Sequence, residues 1–278
     1  VRRVHRHRFQ QAAEHGFVSI FPDRGAAGII WLDGRDYVSL PAQAGHEAHH
    51  AGHAGNFALM YTRVLADGSM EPEQVVDGNT CTCCWTAVAA VPDGTLAAWR
   101  GRTDDEIRDN RVARMVDGVW AESQPLGGEG WKIAGCPVNG PALAARDSNV
   151  LAAWFTAESE RPRVRAAISH DGGRVFSTPV DLDDQLPLGR IDAMWLDEEH
   201  ALVSWMTNPD GKTSRLVARI IDRQGQAGEV STLGSLSGGR DSGVPQMVSE
   251  GDYLYLAWTR PEPAFGIELG RIPLDRMR

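Results

Sequence analysis

The stretch that decides the fold is IDAMWLDEEHALVSWMTN, residues 191–208, in which two apolar runs flank an acidic turn and the second run ends at a tryptophan. Four other stretches share this design: FVSIFPDRGAAGIIWLDGR (17–35), TAVAAVPDGTLAAWRGR (86–102), GPALAARDSNVLAAWFTA (140–157) and GVPQMVSEGDYLYLAWTR (243–260). The tryptophans near the ends of the second runs are 68, 55, 51 and 53 residues apart: Trp31, Trp99, Trp154, Trp205 and Trp258. A repeat near 50 residues indicates a propeller or an array of similar units.

A third strand-like run follows each hairpin, and usually a short fourth run follows a polar turn. The third runs are ALMYTRVL, NRVARMV, RVRAAIS, RLVARII and GIELGRI, and the fourth runs are EQVV, AESQPL, FSTPVDL and EVSTL. Four antiparallel strands per repeat predict an all-β propeller blade. The tryptophans are then expected to pack between blades.

The predicted domain organisation is a single propeller over residues 1–278. Five blades are visible, at approximately 14–79, 80–134, 135–187, 188–238 and 239–278. Residues 1–13 are expected to form the outer strand of an incomplete first blade. A six-bladed ring fits this count best, and a five-bladed ring stays open.

Composition excludes several classes of protein. With 42% hydrophobic and 23% charged residues the chain is ordinary for a globular protein, and 28 basic against 37 acidic residues give a net charge of −9. A surface that tracks nucleic-acid phosphates needs a positive excess, so nucleic acid is not an expected partner. No apolar run approaches the roughly 20 residues of a membrane span. The chain begins at Val1 without a signal-peptide pattern; we expect an exported protein, periplasmic or secreted, whose leader is absent from this sequence.

The turn SHDGGRVF, residues 169–176, matches the Asp-box pattern S-x-D-x-G-x-x-[FW] at all four fixed positions. The chain therefore resembles the sialidase-like (BNR, Asp-box) six-bladed propellers, and VDGVW (116–120) and LADGSM (65–70) resemble decayed boxes. The resemblance implies a turn between third and fourth strands, on the face away from the active site. Ser169, Asp171 and Phe176 are accordingly expected to be structural.

Propeller geometry places two kinds of loop around the same axial mouth: those that lead into first strands and those that join second to third strands. All four cysteines fall in two such leading loops, Cys81, Cys83 and Cys84 in one and Cys136 in the next. Three interpretations remain open: a thiolate site for copper or zinc with His15 as a further ligand, disulfides of an exported protein, and unpaired thiols.

The loop at 33–56 is long for a hairpin and contains His46, His49, His50 and His53. These imidazoles are expected over the same mouth, where they could ligate or deliver a metal. A solvated loop with fortuitous histidines is the alternative.

The resemblance also implies a catalytic pattern: three arginines on a substrate carboxylate, a tyrosine nucleophile and an aspartic acid as acid/base. Candidates at the mouth are Arg35, Arg102, Arg108, Arg190 and Arg240 for the carboxylate, Asp33, Asp105 and Glu14 as acids, and Tyr37 as nucleophile. Tyr37 does not match the late-blade tyrosine of the family, and the family's first-blade arginine motif is not found in this chain. Salt bridges to neighbouring carboxylates are the alternative role of the arginines.

Two functions follow as hypotheses. The first is an exo-α-sialidase-type hydrolase or a binder of acidic glycans or small anions. The second is a non-catalytic exported propeller that binds a metal or a partner through its Cys/His mouth. No nucleotide-binding glycine loop and no C-x-x-C-H haem motif occur.

Overall fold

The computed structural model describes residues 13–39, 53–260, 263 and 265–277. The first sheet has the strand order β1-β2-β5-β6, and a small pair, β3 and β4, extends its hairpin. Its strands are β1 (His15–Asp23), β2 (Ala26–Asp33), β3 (Val38–Ser39), β4 (His53–Ala54), β5 (Ala58–Val64) and β6 (Gln74–Asp77).

The second and third sheets repeat this plan. The second has the order β10-β9-β8-β7 with β11 also on β9, and the third has the order β12-β13-β14-β15. Their strands are β7 (Ala87–Val91), β8 (Gly94–Arg100), β9 (Asn110–Val116), β10 (Val119–Trp120), β11 (Gln124–Pro125), β12 (Ala142–Arg146), β13 (Asn149–Thr156), β14 (Arg163–Ser169) and β15 (Val180–Asp183).

The fourth sheet has the order β16-β17-β18-β19, and the fifth has three described strands in the order β20-β21-β22. Their strands are β16 (Pro187–Trp195), β17 (His200–Thr207), β18 (Arg215–Asp222), β19 (Ala227–Ser235), β20 (Gln246–Glu250), β21 (Tyr253–Arg260) and β22 (Gly266–Pro273). Short 3-10 helices occupy Glu158–Glu160, Arg240–Ser242 and Leu274–Arg276. The described residues contain no helix with the length and hydropathy that crossing a membrane requires.

The third sheet shows how the repeat makes a hairpin. Arg146 pairs with Asn149, so only Asp147 and Ser148 form the turn, and Asp147 has a φ of 51°. Tight two-residue turns of this kind need positive φ, which Asp tolerates better than most residues. The second strand that follows is buried along nearly its whole length, as expected for a strand covered on both faces.

The first strands of consecutive sheets lie next to one another in the order β1, β7, β12, β16, β20. Apolar clusters fill the spaces between neighbouring sheets; one contains Phe21 and Trp99, another Leu96 and Trp154. All-β sheets of antiparallel strands stacked in this way are a propeller-type arrangement, which confirms the predicted fold class. The number of blades in a closed ring stays a prediction.

A tryptophan links each middle sheet to the segment before it. The indole N–H groups of Trp99, Trp154 and Trp205 donate to carboxylates 22, 25 and 22 residues earlier, on Asp77, Glu129 and Asp183, at 2.7, 2.8 and 2.5 Å. We call these three pairs the tryptophan clamps. Each joins the second strand of one sheet to the outer part of the preceding repeat, so these three tryptophans pack between sheets, as expected, whereas Trp31 clusters with residues of its own sheet.

The sheets also differ from the predicted plan. In the second sheet the outer position is divided between β10 and β11, which pair with opposite ends of β9. The fifth sheet exposes Phe265, Ile267 and Leu269 in or beside β22. The predicted outer strand at residues 1–13 and the histidines His46, His49 and His50 lie outside the described residues apart from residue 13, and the side chain of His53 is not described.

The turn after β14 has the hydrogen bonds expected of an Asp box. The Asp171 carboxylate accepts the backbone N–H groups of Arg174 and Val175 at 2.9 and 3.0 Å, and the Ser169 hydroxyl accepts that of Gly173 at 2.9 Å. Partial burial opposes ionisation, yet these bonds hold the pKa of Asp171 below its ordinary value. Such contacts fit the structural role predicted for Ser169 and Asp171.

Candidate functional site

Three cysteines meet in the loop that leads into the second sheet. The Sγ atom of Cys81 lies 3.2 Å from that of Cys84 and 3.7 Å from that of Cys83, and all three sulfurs lie within 4.8 Å of one another. Cys81 and Cys84 are buried, whereas Cys83 is partly exposed. We call these three residues the thiol cluster. Each of the four cysteines is free, so this structure contains none of the disulfides that were one of the three interpretations.

Two guanidinium groups lie beside the thiol cluster. Arg108 Nη1 donates to the Cys81 sulfur at 3.5 Å, and buried Arg100 donates to the backbone oxygens of Asn139, Arg108 and Phe155 at 2.8, 2.6 and 2.8 Å. Hydrogen bonds from Cys83 and Cys84, together with the Arg108 charge, lower the pKa of Cys81 well below its usual range. Burial raises the pKa of Cys84. One sulfur of the cluster is thus favoured as a thiolate.

The other predicted ligands lie elsewhere. Cys136 is exposed, and its Sγ is 3.9 Å from Thr82 Oγ1, but it does not belong to the group of converging thiols. His15 Nδ1 lies 3.3 Å from Asp33 Oδ2 in the first sheet. Because each has a different local partner, the structure brings together three of the five predicted ligands.

Asp33, a predicted acid/base, ends β2 with a buried carboxylate. It accepts Trp31 Nε1 at 2.8 Å and three donors of Arg35, at 2.9, 2.9 and 2.5 Å. Although burial opposes ionisation, the hydrogen bonds from Arg35 and Trp31 lower the pKa of Asp33 from 3.8 to about 2. An acid this strong carries no proton to donate near neutral pH, so its surroundings suit an anchor and do not suit a general acid.

The predicted carboxylate-binding arginines are largely committed to the protein. Arg35 also pairs with Glu73 at 2.7 Å. Arg190 is buried; its guanidinium donates to Ser242 Oγ and, at 3.2 Å, to the Gly238 oxygen. Arg240 starts a 3-10 helix, and its side chain is not described. Arg35 and Arg190 therefore join loops to their neighbours.

Arg102 and Arg108 converge on one carboxylate that the sequence hypotheses did not single out. Glu106 accepts Arg102 Nε at 3.1 Å and Arg108 Nη2 at 2.7 Å, and its backbone φ is 63°. Partial burial opposes ionisation, but the two arginines lower the pKa of Glu106. A non-glycine residue at positive φ costs free energy and is often found at functional sites. The spacing R-x-x-x-E-x-R was the available signal.

The charges of Arg102 and Arg108 act on the phenol of Tyr37. Burial raises the pKa of Tyr37, and the opposing charges of Arg102 and Arg108 do not offset it. Its ring packs edge-on against Phe57, with the centroids 5.1 Å apart. A raised pKa makes the phenol harder to ionise, which works against the predicted role as a nucleophile.

The remaining predicted acids sit at the surface. Glu14 and Asp105 are exposed. A further acid, Asp192, lies within β16. Burial raises the pKa of Asp192, even though it accepts the backbone N–H groups of Met247 and Ala193 at 2.7 and 2.9 Å.

A cavity of about 190 Å³ opens beside Arg102, between the first and second sheets. We call it the Asn79 pocket; its lining is Asp77, Asn79, Gly101, Arg102, Thr103, Ile107, Asp109, Arg111, Ser123 and Pro125. Asn79 Oδ1 is buried and accepts no hydrogen bond from the described residues. An unpaired buried acceptor is costly, so this oxygen is suited to a ligand donor.

The class that these features define is an all-β protein of propeller-type sheets with a polar pocket and a thiol cluster near one junction. Neither a family model nor a curated protein matches the chain.

Solved structures do match. The BP39L lectin from Burkholderia pseudomallei is 13% identical over 90% of this chain and 75% of the lectin, with a TM-score of 0.53. The Hadza microbial sialidase Hz136 is 15% identical over 79% of this chain, at a TM-score of 0.49, and this chain spans about half of that protein, 52%. An α-L-arabinofuranosidase from Podospora anserina is 10% identical over 96% of this chain and 92% of its own, at a TM-score of 0.48. At such identity the lectin similarity shows the fold alone, and sialidases are one of several groups among the matches.

Proposed function

We propose that the protein is a saccharide-binding propeller that holds one carboxylate-bearing sugar unit in the Asn79 pocket. The observation that carries this proposal is the pocket itself, which combines an unpaired buried acceptor, hydroxyl groups of Thr103 and Ser123, and two guanidinium groups. Its volume is below the roughly 300–1,000 Å³ typical of pockets for drug-sized ligands, which fits a single terminal sugar.

An acidic sugar is favoured by the hydrogen bonds already made around the pocket. Asp77 accepts Trp99 Nε1 and the Asn79 N–H, at 2.7 and 3.0 Å, and Asp109 accepts two backbone N–H groups at 2.7 and 2.9 Å. Part of the hydrogen-bonding capacity of the lining acids is therefore taken up by the protein. The cationic groups of the lining are Arg102, oriented by Glu106, and Arg111, which donates to the Ser123 hydroxyl and carbonyl oxygens at 2.8 Å. A guanidinium is the donor that best fits a carboxylate.

In this proposal the protein binds the saccharide and does not hydrolyse it. The expected acid Asp33 is buried and strongly ionised, and the pKa of Tyr37 is raised. Neither condition suits the sialidase-type chemistry that the Asp box led us to expect. Lectins and glycoside hydrolases both occur among proteins with similar folds, so a saccharide ligand also agrees with the known uses of this architecture.

The test is calorimetric titration of the full chain with 3′-sialyllactose and, as the neutral comparison, lactose. Sialyllactose should bind and lactose should bind much more weakly. Arg102→Gln should weaken sialyllactose binding by about 10–100-fold, the equivalent of one charge-assisted hydrogen bond.

The matched control is Arg163→Gln in the third sheet, whose side chain is 24% exposed against 22% for Arg102 and is likewise paired with carboxylates. It should leave binding unchanged. Equal binding of both sugars, or equal weakening by both variants, contradicts the proposal. Release of the fluorophore from a fluorogenic sialoside would reinstate the hydrolase hypothesis.

A further inference from the structure

The thiol cluster is a feature that saccharide binding does not use. Its sulfurs are separated by 3.2 and 3.7 Å from Cys81, and none of the three pairs exceeds 4.8 Å. Three sulfurs around one metal ion, with metal–sulfur bonds of about 2.3 Å, lie about 3.8–4.0 Å apart. The two separations from Cys81 lie somewhat below that range and the third does not exceed 4.8 Å, so a single ion can reach all three sulfurs with small side-chain movements.

The presence of three converging sulfurs helps to indicate which ion the cluster binds. Structural zinc sites are almost always closed by four ligands. Among the described side chains, the other predicted candidates, Cys136 and His15, have contacts elsewhere, with Thr82 and Asp33 respectively, while the four loop histidines lie outside the described side chains. Thiolates select soft ions such as monovalent copper, an ion that accepts three sulfur ligands readily.

The charges around the cluster suit such a complex. Three thiolates and one monovalent cation carry a net charge of −2. Arg108 donates to the Cys81 sulfur, and buried Arg100 is close enough to act electrostatically on Cys84. Two guanidinium groups therefore offset part of this charge, with Arg108 also paired to Glu106, in the manner of the outer partners that orient and tune metal ligands.

We propose that Cys81, Cys83 and Cys84 form a three-coordinate site for monovalent copper in the loop that leads into the second sheet. Each thiol that ligates the ion releases its proton to solvent, and the ion keeps its oxidation state. Cys83, the partly exposed member, provides the side from which copper enters. This site is separate from the Asn79 pocket and does not depend on a saccharide ligand.

The experiment titrates the full chain, reduced and kept free of oxygen, with Cu(I) in competition with bicinchoninate. One copper per chain should be withdrawn from the chelator, and X-ray absorption should show a first shell of three sulfurs. Cys83→Ser should weaken copper binding by at least ~100-fold, because loss of an outer partner alone costs 10–100-fold. Since Cys83 is partly exposed, its far-ultraviolet circular dichroism and melting temperature should stay close to those of the unaltered chain.

Cys136→Ser is the matched control, a cysteine in the neighbouring leading loop that should leave copper binding unchanged. The proposal is overturned if the unaltered chain removes no copper from bicinchoninate, if Cys136→Ser weakens binding as much as Cys83→Ser, or if absorption shows a fourth ligand. The absorption measurement on the unaltered chain decides the matter even if a variant fails to fold. Sialyllactose titration of both cysteine variants separates this result from the saccharide proposal, since neither substitution touches the Asn79 pocket.

Discussion

The junction between the first and second sheets and the junction between the third and fourth sheets share one scaffold contact but differ in their loops. Each is closed by a tryptophan clamp, Trp99 with Asp77 in one and Trp205 with Asp183 in the other. The leading loop of the second sheet carries the thiol cluster, whereas the first strand of the fourth sheet, β16, carries a buried arginine, Arg190. The repeated residues hold the sheets together, and the residues that break the repeat differ in chemistry.

The hydrogen-bond partners of Arg190 and Arg108 show this difference. Arg190 satisfies its guanidinium with Ser242 and the Gly238 oxygen, both from the segment that leads into the fifth sheet. Arg108 divides its donors between the Glu106 carboxylate and the Cys81 sulfur. The guanidinium of Arg190 is satisfied by protein oxygens, whereas that of Arg108 lies between a carboxylate and a sulfur. This contrast is why we assign a structural role to Arg190 and propose ligand binding beside Arg108.

The largest expected effect tests the shared contact. Trp99→Ala and Trp205→Ala should each lower the free energy of unfolding by about 3–5 kcal/mol, because both side chains are fully buried and each removal leaves a cavity and takes one hydrogen bond from a carboxylate. Urea denaturation measures both. Costs that differ by more than about 2 kcal/mol would show that the two junctions do not share one scaffold. Trp258→Ala, at a half-buried tryptophan, should cost less.

The second prediction compares the stabilising role of Arg190 with that of the thiol cluster. Arg190→Ala should cost about 2–3 kcal/mol of stability, since it removes buried charge-assisted hydrogen bonds and leaves the acceptors on Ser242 and Gly238 without this donor. Cys83→Ser should cost less than about 1 kcal/mol in the metal-free protein because the side chain is partly exposed. Thermal and urea unfolding of both variants gives the comparison. A loss of stability in Cys83→Ser as large as that in Arg190→Ala would mean that the thiol cluster stabilises the fold as much as Arg190 does.

The third prediction concerns how stability depends on pH through Asp33 and Asp192, whose contributions have opposite signs. The pKa of Asp33 falls from 3.8 to about 2, so its contribution to stability is fully present above about pH 5 and is lost as the pH falls through 3.8 towards 2. Asp33→Asn should therefore cost about 2 kcal/mol at pH 7 and much less at pH 2.5.

Asp192 has the opposite sign. Burial raises its pKa in the folded state, so its contribution is greatest at low pH and is lost as the pH rises through that raised value. Asp192→Asn should equal the unaltered chain at pH 3 and be the more stable of the two at pH 7. Urea midpoints across this range measure both acids, and parallel curves for the two variants would contradict the assignment.

The repeat could be predicted from the sequence because the pattern that defines each unit lies within a short stretch of chain. Alternating apolar runs, a turn of Asp or Gly and a terminal tryptophan recur in each unit, and the third strands begin and end close to the predicted runs. The outer strands were harder to predict. They are short and solvated, so little burial constrains them, and the second sheet divides its outer position between Val119–Trp120 and Gln124–Pro125.

The candidate site was predictable as a set of residue types but not as a set of partners. Clustering of Cys81, Cys83 and Cys84 follows from their spacing and holds in the structure. The commitment of Arg190 to Ser242, of His15 to Asp33, and of Glu106 to two arginines depends on contacts between residues that neighbouring loops or tight turns bring together. Residue spacing alone does not rank such competing partners.

The amino-acid sequence by itself determined the all-β class, the order of strands in each sheet and the loops in which the cysteines lie, because those features arise from short-range patterns of apolar and turn-forming residues. Only the tertiary structure decided which charges neutralise one another and which polar atoms remain for a ligand. Pairing energies depend on distance and desolvation, and both quantities are set when the sheets pack side by side.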